Sequence, residues 1–162
     1  MKKVIWLLFV SLLVFQSVCL GSETSSRYQQ IASYKEETIF FDTTTIKFAY
    51  QNNTHIVDVW FYYDYNKSGV QEEISSRRKH NLSIDGYKEL SYSWKHYQFN
   101  LNDNTTATLS YTDYKDDGTI LENYHFVYLT WHPIVPGSVC EEWFNAISTY
   151  AVTHEQILKQ RS

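Results

Sequence analysis

The stretch WHPIVPGSVCEEWFNAISTY, Trp131 to Tyr150, changes from one periodicity to another, and the rest of the chain is read outward from it. Trp131 closes a β-branched and aromatic run. Pro133 and Pro136 forbid that run from continuing as a central strand, because each removes a ladder donor. Pro136-Gly137 then supplies a tight turn. Ser138 and Glu141 have the spacing of a capping box: the hydroxyl takes a backbone N–H of the first helical turn, and the carboxylate returns to the Ser138 N–H. Val139, Trp143, Phe144, Ile147, Tyr150 and Ala151 follow at steps of three and four, which lays them along one helical face. A helix with two large aromatics on one stripe cannot bury them against itself. It requires a sheet.

The residues before Trp131 read as that sheet. Thr38-Ile39-Phe40-Phe41 is a short strand, and Ile46 to Tyr50 resumes the extended alternation after a polar turn. Gln51 to Thr54 is a reverse turn. His55 to Tyr65 is the longest strand: Ile56, Asp58, Trp60, Tyr62 and Asp64 lie on one side, and Val57, Val59, Phe61, Tyr63 and Tyr65 on the other. The second set is more uniformly apolar and is placed toward the helix. Tyr87 to Leu101 forms a second long strand through Leu90, Tyr92, Trp94 and His96, with a bulge near His96 where the alternation slips. Thr105 to Tyr114 follows, and Asp116-Asp117-Gly118 is a strong hairpin signal. Thr119 to Glu122 and Tyr124 to Trp131 lead back to the helix, which is expected to run on through Ile157 and Leu158. Val70 to His80 has acids before bases, the order that suits a helix dipole, but its apolar content is thin. It is read as a mobile, solvated excursion, with Arg77-Arg78-Lys79 a solvated face. The expected fold class is α+β, an antiparallel β-sheet of five to seven strands with a C-terminal α-helix packed on one face.

Length and composition set further bounds. A chain of 162 residues predicts one domain, assigned to 34–162. Lys2 and Lys3, the apolar run from Val4 to Phe15 and small residues at Ser17, Gly21 and Ser22 give residues 1–21 the layout of a secretory signal peptide, so export is expected. The periplasm, the cell surface and the extracellular medium remain open as destinations. Residues 22–33 are small and polar and read as a flexible leader. Cys19 invites lipidation, but Phe15-Gln16-Ser17-Val18 lacks the usual lipidation pattern. No other segment is apolar long enough to span a bilayer. Removing Lys2 and Lys3 moves the formal charge from −4 to −6, which argues against nucleic acid as a partner. After cleavage Cys140 is the remaining cysteine. It is either a small buried apolar side chain or, in the first turn of a helix, a reactive thiol able to form an intermolecular disulfide.

The sequence carries no recognisable catalytic constellation. The six histidines have no metal-ligand spacing, so neither a metal nor a cofactor is expected. The adjacent carboxylate pairs, Glu36-Glu37 and Glu72-Glu73 among them, point apart along the chain and do not face each other across a cleft. Ser138 lacks a histidine partner and is read as a cap. No catalytic residue is assigned. The four Asn-x-Ser/Thr triplets beginning at Asn52, Asn66, Asn81 and Asn104 are read as turn chemistry.

Several motifs together carry a resemblance. FFDTTTIKF leads to the tryptophan strand VDVWFYYDY, and near the other end YTDYKDDGTI is followed by WHPIVPGSVCEEWF. This pattern resembles the bacterial surface-adhesin E family over roughly Glu37 to Tyr150. The resemblance implies an antiparallel sheet with a C-terminal helix, export, and, for some members, adhesion to host proteins such as extracellular matrix or serum components. The chain departs from the family at Ser148 and Thr149, where members often carry a cysteine, and its own cysteine lies at the helix start. Adhesion does not transfer with a fold. The expected activity is therefore protein binding, with a structural or inhibitor-like role in the periplasm as the alternative. The expected contact surface is the sheet face away from the helix, at Trp60, Tyr62 and Trp94.

Overall fold

The computed structural model of the chain describes residues 26–51 and 54–162. The expected signal segment with Cys19, residues 22–25, and Asn52 and Asn53 of the reverse turn lie outside the described residues. Eight strands are described: β1 (Tyr28–Ser33), β2 (Glu37–Asp42), β3 (Lys47–Gln51), β4 (Thr54–Tyr65), β5 (Leu90–Asn100), β6 (Thr105–Lys115), β7 (Ile120–His125) and β8 (His132–Pro133). They form one antiparallel sheet whose main path is β1-β2-β4-β5-β6-β7, so six strands fall within the expected five to seven. The short β3 and β8 add to these by pairing with the free flanks of β4 and β6. The bulge appears where the alternation slips: His96 opposes Ser110 and Tyr97 opposes Thr108, leaving Leu109 unopposed.

Alternation along β4 decides which face is covered. Val57, Val59, Phe61 and Tyr63 are buried with Ile39, Phe41 and Phe99 beneath α2 (Val139–Thr153), whose Trp143, Phe144, Ile147, Tyr150 and Ala151 pack down onto them. Trp143 meets Phe61 edge-on at 5.7 Å and Tyr63 at 6.1 Å, the T-shaped geometry that the ring quadrupole favours. Val139, assigned to the same stripe, lies at the helix start and is exposed. The cap forms with one shift. Ser138 Oγ accepts from the Glu141 N–H at 3.3 Å, but the Glu141 carboxylate accepts from Gly137 N at 2.7 Å, because the Ser138 N–H already donates to the Val135 carbonyl in the preceding turn. α2 stops at His154, and α3 (Glu155–Gln160) follows it, with Leu158 buried and Ile157 exposed. Arg161 then donates to the Thr43 and Ile46 carbonyls and ties the chain end to the sheet.

Four expectations are corrected. Tyr28–Ser33 is not a flexible leader but edge strand β1, in ladder with β2 and anchored by the Arg27 to Asp42 ion pair at 2.8 Å. An edge strand takes its stability from backbone pairing, so its exposed positions need not be apolar. Val70 to His80 is not a loose excursion but most of α1 (Lys67–Lys79), capped by Asn66 and seated through Val70 and Ile74 on Tyr87 and Leu90. Arg77 is not solvated. It lies one turn beyond Ile74 on the inward side, with its guanidinium 3.8 Å from the centre of the Tyr87 ring and 2.6 Å from Glu122. The aromatic run to Trp131 is strand only as far as His125, and Phe126 to Leu129 is exposed. Asn66, as a helix cap, and Asn81 and Asn104, both at positive φ, are the turn residues their triplets suggested.

Candidate functional site

The helices lie on one face, and the other carries aromatic rings. Cross-strand register fixes which rings meet: Phe40 opposes Tyr62 across β2 and β4, Tyr62 opposes Trp94 across β4 and β5, and Tyr92 opposes Tyr114 across β5 and β6. The centroid separations are 6.1 Å, 5.2 Å and 4.8 Å, with Tyr92 and Tyr114 stacked within 11°. Tyr62 also meets Tyr92 at 5.5 Å. From β1, Tyr28 reaches Tyr62 at 5.9 Å and Trp94 at 5.8 Å. The result is one unbroken row of rings crossing five strands, about 20 Å at the ordinary interstrand spacing. Tyr28 is exposed and the others are half-buried, each shielded by its neighbours.

Trp60 lies beside this row and not in it. It stacks on His96 at 4.5 Å with a 9° interplanar angle. The His96 Nε2 is 2.7 Å from Asp58 Oδ1, and Gln98 donates to the other carboxylate oxygen at 2.9 Å. Burial would raise the Asp58 carboxyl, but the hydrogen bonds from His96 and Gln98 outweigh it and hold the group below its ordinary value. Asp58 is therefore an anion, and the imidazole nitrogen is the donor. Along the row, burial first and the carboxylates of Asp64 and Asp116 after it push the Tyr62 hydroxyl up. Burial, Tyr114, Asp116 and Asp117 do the same for Tyr92. The phenols thus remain O–H donors along an acidic rim.

Of the residues expected to form the contact surface, Tyr62 and Trp94 touch each other and Trp60 stands to one side. The Lys67 to Glu89 region does not cover them, since α1 packs on Tyr65, Leu90 and Leu121 of the helix-bearing face. Sequence reasoning missed Tyr28, Phe40, Tyr92 and Tyr114. Two-residue spacing from Trp94 already points to Tyr92, whereas Tyr28 was hidden in a segment without an apolar run. Cys140 is half-buried against the main core, and burial pushes its thiol up, so the thiolate is disfavoured despite the helix start.

The family model described as surface-adhesin protein E matches residues 28–147, from β1 into α2. No curated protein and no solved structure matches the chain. Among the described residues no helix is long and apolar enough to cross a membrane.

Proposed function

This chain belongs to the surface-adhesin protein E family, and from that premise we propose that it is exported and binds a host extracellular protein through the aromatic row. The supporting observation is the continuity of that row across β1, β2, β4, β5 and β6 on the face opposite the helices. Tyrosine and tryptophan are the side chains that most often dominate binding energy, because each presents a large rigid area with a polar tip. Here the rings already brace one another, so a partner meets a surface whose rotamer entropy has largely been lost on folding. The role is adhesive binding without catalysis.

The test is retention of the protein on immobilised extracellular-matrix and serum proteins. A Tyr62→Ala, Trp94→Ala double variant is expected to bind about 30-fold more weakly, the loss of roughly 2 kcal/mol typical of a hot spot. Its far-UV circular dichroism should be unchanged. Undiminished binding by a folded double variant, or selective capture of components of the producer's own envelope, overturns the reading in favour of a periplasmic role.

A further inference from the structure

The two ends of the aromatic row differ in charge. At the β1 end Arg27 sets its guanidinium 5.0 Å from the centre of the Tyr28 ring and gives Asp42 two hydrogen bonds, from Nε at 3.0 Å and from Nη2 at 2.8 Å. Cation, ring and carboxylate there form a closed unit. At the β6 end Tyr92 and Tyr114 stack at 4.8 Å. Asp64 opposes Tyr92 from β4, and Asp116 and Asp117 follow Tyr114 into the hairpin, where the Tyr92 hydroxyl lies 3.9 Å from the position a Gly118 Cβ would take. Rings and carboxylates are present at this end without a cation. Among the described residues no lysine, arginine or histidine comes within ion-pair distance of Asp64, Asp116 or Asp117.

The same unit recurs under α1, where Arg77 lies 3.8 Å from the centre of the Tyr87 ring and bonds Glu122 at 2.6 Å. In both places one arginine serves a tyrosine and a carboxylate together, because a planar guanidinium covers a ring with its face while its edge donates to an acid. A lysine ammonium has neither the flat face nor the fork. The set at the β6 end lacks its arginine. Asp64, Asp116 and Asp117 are exposed and Tyr92 and Tyr114 are half-buried, so the position is open to solvent. The negative charge is felt along the row. After burial, Asp64 is the largest cause of the raised Tyr62 hydroxyl, and Asp116 contributes to the rise at both Tyr62 and Tyr92. A neutral or acidic partner gains nothing from this end of the row, whereas a basic one gains both stacking and ion pairs.

Taking the row as the contact surface, and so resting on the function proposed above, we propose that the protein segment it receives is basic and seats an arginine over Tyr92 and Tyr114 between Asp64 and Asp116. That arginine completes at the β6 end the unit that Arg27 completes at the other. The rest of the segment lies along Trp94, Tyr62 and Phe40. Lysine is a poorer occupant, and citrulline, the planar uncharged isostere of arginine, is none.

The experiment is an NMR titration of the full-length protein with the acetylated and amidated peptide Gly-Arg-Gly-Arg-Gly, its lysine and citrulline counterparts, and cellohexaose as a neutral glycan. Saturable shifts are expected with the arginine peptide at the Tyr62 to Asp64, Tyr92 to Trp94 and Tyr114 to Gly118 amides. The lysine peptide should bind about threefold more weakly, and the citrulline peptide should not saturate. Among the described residues the Asp64 and Asp116 side chains make no hydrogen bond, so an Asp64→Asn, Asp116→Asn double variant should keep its far-UV circular dichroism. It should bind the arginine peptide about fivefold more weakly. Equal binding of the lysine or citrulline peptide, undiminished binding by the folded double variant, saturation with cellohexaose but not with the arginine peptide, or no saturable shift at all would overturn the proposal. Each of these outcomes leaves the aromatic row standing, because its own failure is read separately, from undiminished matrix retention of the Tyr62→Ala, Trp94→Ala variant.

Discussion

Gly69 sets how close α1 approaches the sheet. A methyl group there gains roughly 1 kcal/mol of helix propensity but overlaps the Glu36 carbonyl, a backbone atom that cannot rotate away. Overpacking of this kind costs roughly 1–3 kcal/mol, so Gly69→Ala is expected to be destabilising by about 1 kcal/mol net. A urea midpoint at or above that of the parent would refute it. Glu73 carries a pH signature. Its folded carboxyl titrates above the unfolded one, so the ionised group costs stability at neutral pH, and the cost disappears as the pH falls through the folded value toward the unfolded one. Glu73→Gln should therefore be more stable than the parent at pH 7, with the gap closing by about pH 4; a gap of the opposite sign is the disproof. Asp42 and Glu122 behave inversely. Burial would raise each, but hydrogen bonds from Arg27 and Thr44 to Asp42, and from Arg77 and Tyr87 to Glu122, hold both below the ordinary value. Their contribution is present at neutral pH and is lost on acidification through the folded value.

At the scale of elements, the two long helices are held differently. α2 is an amphipathic helix over an aromatic core, entered through a capped turn, and its register was legible from Val139 to Ala151 because three-and-four spacing is a local property. Ser138→Ala removes the acceptor for the Glu141 N–H and should cost about 1 kcal/mol, read as a lower thermal midpoint. Equal midpoints would show that Glu141 on Gly137 N carries the turn by itself. α1 has a thin stripe, Gly69, Val70, Ile74 and Arg77, and relies on polar partners far away in sequence. Arg77 bonds Glu122 and the Ser83 carbonyl, while Tyr87 donates to Asp113 at 2.7 Å and to Glu122 at 3.0 Å. No window around Val70 to His80 contains Asp113 or Glu122, so the segment read as solvated.

For the whole molecule, one layer of sheet separates two unlike faces: a helix-covered side, and an aromatic side without a helix. β1 belongs to both, contributing Ile31 to the core and Tyr28 to the row. Deleting residues 1–33 also removes Arg27 from the buried Asp42 carboxylate. The shortened chain is expected to melt roughly 10 °C lower, a loss of a few kcal/mol for a domain of this size. An unchanged midpoint would show that β1 is dispensable. The alternation of His55 to Tyr65 and the change of period at Ser138 determined by themselves that a sheet packs a C-terminal helix, and they identified the face that opposes it, because side-chain direction in strand and helix repeats over two to four residues. Only the tertiary structure decided that Tyr28 completes the aromatic row, that Arg77 is buried, and that Asp64 and Asp116 stand at one end of the row. Those outcomes depend on which distant segment supplies a ladder, a counter-charge or a rim, and a short-range pattern carries no record of its partner.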